Sequence, residues 1–98
     1  MDPQQIPLTT LQDASRALWL ATLSLMAAFM HTQAPAHRYQ MARRIARNFD
    51  TLREQECFSD DCRRRFARLG LRWHGKADLL QGRPQPLLRR VLRQLGFA

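Results

Sequence analysis

Cys57, Cys62 and His74 are the residues of this sequence whose types best suit metal or redox chemistry. Structural zinc sites draw their thiolates from short paired spacings, such as C-x2-C followed by a second pair. Here a single pair is separated by four residues. The pattern favours two small buried residues packing a helix corner over half of a metal or redox site. His31 and His37 flank a turn and have no obvious third ligand. A cation is favourable at a helix C-terminus, which accounts for His31 there. Asp60 and Asp61 are adjacent carboxylates. Neighbours on a helix diverge by about 100°, so they cannot share one substrate as a general acid/base pair. They suit the N-terminal dipole of a helix instead. No Gly-rich phosphate loop, G-x-S-x-G or H-E-x-x-H occurs. No catalytic residue, metal ligand or cofactor site is therefore expected.

The arginines remain. Arg43, Arg44 and Arg47 form one group, and Arg63, Arg64, Arg65, Arg68 and Arg72 another. Arg64, Arg68 and Arg72 recur at i, i+4 and i+8, which places them in one row on a helix. Such a row tracks phosphates or meets an acidic helix; the competing reading is a solvated face, tempered by Asp50, Glu54 and Asp61. The net charge of +8 points the same way, toward a polyanionic or acidic partner. All the basic residues but Lys76 are arginine, however, and a GC-rich genome produces the same bias. A helix-turn-helix is not supported, because the turn at Cys57 to Ser59 lacks the expected glycine. Nor are aromatics interleaved with the arginines as a base-stacking platform.

The elements that position these residues are helical throughout. With 98 residues, 45% of them hydrophobic, the chain suffices for one domain with a small core. Residues 1–8, with Pro3 and Pro7, read as a flexible arm. Thr10 and Asp13 fit an acidic capping box, so a first helix is expected over 10–31. Pro35 suits the first turn of a second helix over 35–56, with Tyr39, Met41, Ala42, Ile45, Ala46, Phe49 and Leu52 on one face. Ser59 is a good N-cap for a third over 59–81. Its apolar period runs from Cys62 through Phe66, Leu69, Trp73 and Ala77 to Leu80. That continuity outweighs the alternative in which Gly70 closes the helix. Gly82 to Pro86 is a stiff break, followed by a short basic amphipathic helix over 86–95. The expected fold is all-α, a small bundle of three main helices plus a short C-terminal one.

The first helix carries the strongest internal pattern. Leu11, Leu18 and Leu25 recur every seven residues, as do Ala14, Ala21 and Ala28. Small residues at heptad spacing allow close approach of helix backbones. Trp19, Leu20, Leu23, Met26, Phe29 and Met30 cover much of the remaining circumference. A helix apolar all round is buried all round, so the sequence predicts a homodimer through the Leu11, Ala14, Leu18, Ala21, Leu25 and Ala28 seam. The apolar run from Ala17 to Met30 falls short of the about 20 residues a membrane span needs. The Ala34-Pro35-Ala36 sequence resembles a signal cleavage site, but Asp2 and Asp13 outweigh Arg16 where a positive segment should precede it. A cytoplasmic location is expected. The function class that follows is a small regulator or adaptor that binds another protein, for example one that modulates a transcription factor. The alternative is nucleic-acid binding by the Arg43/Arg44/Arg47 and Arg64/Arg68/Arg72 faces. A peripheral membrane role for the basic C-terminal helix is the least favoured.

Overall fold

The computed structural model describes residues 8–82. Among them lie three α-helices and no strand: α1 (Leu8–His31), α2 (Pro35–Leu52) and α3 (Asp60–Leu80). The expected C-terminal helix over 86–95 and nearly all of the arm lie outside the described residues.

The boundaries follow local chemistry, with two corrections. α1 begins at Leu8, so Thr10 and Asp13 are inside the helix and do not form the expected capping box at its start. α2 stops at Leu52 instead of continuing to 56. Past Leu52 there is no residue left to bury on the core face until Phe58, and the chain tightens through Glu54 N–H to Thr51 O and Gln55 N–H to Leu52 O. Pro35 occupies the start of α2, where its missing N–H costs nothing. The Ser59 side chain accepts from the Cys62 N–H at 3.2 Å and caps α3, with Asp60 and Asp61 in the first turn against the helix dipole. α3 is continuous through Gly70 and Gly75. It closes at Gln81, and Gly82 follows at φ 76°, a left-handed conformation natural to glycine.

α2 is the central helix. Ala42, Ile45, Ala46, Phe49 and Leu52 are all fully buried on its inner face, at the i, i+3, i+4 spacing of the sequence. α3 packs closely on one side of it, and Gly70 marks a close approach. A Cβ there would sit 3.4 Å from the Phe49 Cβ and 3.3 Å from Asp50 Oδ1. The contact is local to a helix interior, where glycine alone costs about 1 kcal/mol against alanine. Gly70→Ala is therefore expected to leave stability nearly unchanged, the propensity gain offsetting the crowding. Gly70→Leu must push α2 and α3 apart and should cost about 2–3 kcal/mol. Thermal melts of the two variants test this, and similar melting temperatures would show that the helices do not meet at Gly70.

α1 and α3 are joined differently. No Cα of α1 lies within 8 Å of one in α3. Large rings span the gap: Trp19 packs on Phe66 at 5.0 Å and on Phe49 at 5.9 Å, and Phe29 stands edge-on to Trp73 at 5.0 Å. Phe58, from the turn, closes the end of this cluster against Phe66 at 5.1 Å. Such edge-to-face pairs each add about 0.5–1.5 kcal/mol beyond simple burial. Ser15, Thr22 and Phe29, seven residues apart, are the buried line of α1. The two hydroxyls are satisfied: Thr22 donates to Leu18 O at 2.7 Å, and Ser15 to Gln55 Oε1 at 3.1 Å.

Candidate functional site

The cysteines and histidines assemble no reactive cluster. Both thiols are free; Cys62 is half-buried against the core, but Cys57 is exposed, which corrects the expectation of two buried residues at the helix corner. Cys57 lies in the turn after α2, where the chain has already left the core face. His74 is not near-partnered by the cysteines but by Asp50. Its Nε2 donates to Asp50 Oδ2 at 2.7 Å, fastening α3 to α2 one turn from Gly70. His31 and His37 are exposed on either side of the α1–α2 turn. Among the described residues, no three His, Cys, Asp or Glu side chains gather as a metal site would require.

The arginines divide into two populations by what they touch. Arg38 and Arg63 are structural. Arg38 Nη1 donates to Phe29 O at 3.1 Å and to Thr32 O at 2.8 Å, while its guanidinium lies 4.0 Å from the centre of the Phe29 ring. It thus satisfies the open carbonyls at the end of α1 and places positive charge where the helix dipole is negative. Arg63 Nε donates to Arg53 O at 2.9 Å, just beyond α2, and its guanidinium pairs with Asp60 at 3.7 Å. Neither role shows in a one-dimensional charge count, because the carbonyls that Arg38 and Arg63 bind are uncharged and belong to other segments.

The other arginines among the described residues are exposed. Arg43, Arg44 and Arg47 are exposed on the outer side of α2, where Arg43 reaches the Tyr39 hydroxyl at 3.5 Å. On α3, Arg64, Arg68 and Arg72 are exposed in the expected row, with Arg64 paired to Asp61 one turn earlier. Arg68 and Arg72 have no ion pair among the described residues. The two groups therefore occupy outer faces of two different helices. Exposed Leu71 lies beside the α3 row and exposed Leu79 two turns beyond Arg72, giving this face an apolar as well as a basic character.

α1 presents the most distinctive surface. Its core side takes up Trp19 and Met26, which the sequence had left over as excess apolar surface; α2 and α3 cover them within one chain. Two strips remain exposed on either flank. One is small: Ala14, Ala21, Ser24 and Ala28 are exposed, with Leu18 and Leu25 half-buried at their edge. Five of these residues, all but Ala14, line a shallow cleft of about 530 Å³ with Arg44 and Asn48 of α2. The other strip is bulky: Leu20 is 62% exposed and Met30 79%. From Ala17 to Met30 neither strip contains a charged residue. Among the described residues, no helix is long and apolar enough to cross a membrane.

Comparison with family models, with curated proteins and with solved structures finds no match to this chain.

Proposed function

We propose that this protein is a non-catalytic binding module, a small regulator or adaptor whose activity is to hold another protein, for example one that modulates a transcription factor. It works as a homodimer. The observation that carries this reading is the outer surface of α1, uncharged from Ala17 to Met30. A single chain covers Trp19, Met26 and Phe29 but leaves Ala14, Ala21, Ala28, Leu11, Leu20 and Met30 in water. Contiguous apolar surface of this kind marks an interaction site on a soluble chain. The small strip suits a two-fold pairing, since a flat alanine surface lets a second α1 approach closely and one self-complementary patch serves both chains. The seam is formed by Leu11, Ala14, Leu18, Ala21, Leu25 and Ala28, as the heptad spacing suggests.

A second reading has its own support. Arg43, Arg44, Arg47, Arg68 and Arg72 are exposed without acidic partners among the described residues, which suits phosphate contacts. One pair of measurements separates the two. Light scattering of the full chain should give a dimer at micromolar concentration, and affinity capture should recover a protein partner that survives nuclease treatment. Retention of random DNA or RNA that weakens steeply with salt would instead establish nucleic-acid binding. A monomer at high concentration would refute the α1 pairing.

A further inference from the structure

The gap between α1 and α3 is a trough with unlike walls. Its floor is apolar, made by the rings that bridge the two helices, with Trp73 and Met26 half-buried beside the buried Phe29. The α1 wall is the edge of the bulky strip nearest α3, where Leu23 and Met30 are 41% and 79% exposed. The α3 wall is basic. Arg65, Leu69, Arg72 and Lys76 follow one another at helical three- and four-residue spacing, so they share the side on which Leu69 and Trp73 meet the core. At one end the trough deepens to a cleft of about 360 Å³ between Met26, Met30, Trp73 and Lys76. The Lys76 ammonium stands 5.3 Å from the Trp73 ring centre and 5.5 Å from that of Phe29, and Arg38 lies on the same Phe29 ring.

Charge is distributed in one sense along this trough. α1 has no carboxylate after Asp13, and α3 has none between Asp61 and Asp78. Arg65, Arg72 and Lys76 have no ion pair among the described residues. From this juxtaposition we infer that the α1–α3 trough is a docking groove for an acidic amphipathic helix of a partner protein. Apolar side chains of that helix enter between Met30 and Trp73, and its carboxylates face Arg65, Arg72 and Lys76. This deepens the protein-binding reading by naming the kind of partner and a surface separate from the alanine strip. The recessed floor is what favours a helix over a lipid surface. A flat bilayer would meet the outer flanks before it reached Trp73, whereas a helix laid in a groove fills it with side chains at i, i+3, i+4 and i+7. Methionines in the cleft adapt to differing apolar anchors.

The test uses the full chain and a synthetic helical peptide with leucine on one face and glutamate on the other. A second peptide carries lysine in place of every glutamate. The glutamate peptide should bind, shift the tryptophan fluorescence, and lose affinity as salt rises; the lysine peptide should not bind. The double variant Arg72→Glu with Lys76→Glu should weaken binding of the glutamate peptide by about tenfold or more, through like-charge repulsion at the α3 wall. Met30→Glu, at the α1 wall, should do the same without touching the basic residues. Both changes are at exposed positions, and circular dichroism should show unaltered helix content. Equal affinity for the two peptides, or unchanged binding by both variants, would overturn the proposal, as would binding to phosphatidylglycerol vesicles with none to the glutamate peptide. Light scattering of the same samples keeps the two ideas apart. A protein that stays dimeric but ignores the peptide ends the trough proposal alone.

Discussion

Phe66→Ala is expected to lower the melting temperature by roughly 20 °C. Phe66 is 2% exposed and touches three rings, Trp19, Phe49 and Phe58, one from each neighbouring part of the fold. Removing a buried phenylalanine costs about 3–5 kcal/mol when the surroundings cannot collapse into the space. Collapse is hindered here. The α1 and α3 backbones are held apart by the rings themselves, and closing the gap would dislodge the Phe29–Trp73 pair farther along the same seam. For a domain of this size, each kcal/mol lost shifts the midpoint by about 4–8 °C. Total stability of about 5–15 kcal/mol leaves little reserve after such a loss. Phe58→Ala removes a ring at the half-buried end of the cluster and should cost clearly less. Thermal unfolding followed by circular dichroism checks both variants. A drop of only a few degrees for Phe66→Ala would mean that α1 is not keyed to α3 through this ring.

That dependence on a few long-range rings marks where sequence stops being informative. The inner face of α2 was legible residue by residue, because Ala42, Ile45, Ala46, Phe49 and Leu52 alternate cleanly with charged positions and one face has one destination. The Ser59 cap and the break at Gly82 were legible as well, since both are local chemistry. α1 was not. Its apolar residues surround the helix, so periodicity offers no preferred side. The side it does bury is centred on Ser15 and Thr22, residues a hydropathy scan does not select. Thr22 is tolerated there because its hydroxyl is spent on the helix's own Leu18 carbonyl. The arginines pose the same difficulty in charge. Arg38 and Arg63 look like members of a basic surface but are committed to backbone carbonyls, and His74 is taken up by Asp50 from another helix. What remains of the candidate surface is therefore smaller than the net charge suggests, and better defined.

The second large effect is expected at Ala21, where a glutamate should convert the proposed dimer to a monomer without unfolding the chain. In the single chain Ala21 is exposed on the outer strip of α1, one turn from both Leu18 and Leu25. A glutamate there meets water, keeps good helix propensity, and touches nothing that the core requires. In the proposed dimer the same position lies at the centre of the closest helix approach, and two-fold symmetry brings in a second charge with the first. A buried charge without a partner costs about 3–5 kcal/mol. The dissociation constant should therefore rise by roughly a hundredfold or more. The prediction is a monomer by light scattering at concentrations where the wild type is dimeric, with the helical dichroism spectrum retained. Ala27→Glu, on the other flank of α1 and also exposed, is the control and should leave the dimer intact. Mass action supplies an independent check: the wild-type melting temperature should climb with protein concentration, and that of Ala21→Glu should not. A wild type whose melting temperature ignores concentration, or an Ala21→Glu protein that dimerises normally, would remove the alanine strip as the pairing surface and leave the apolar flank of α1 to another partner.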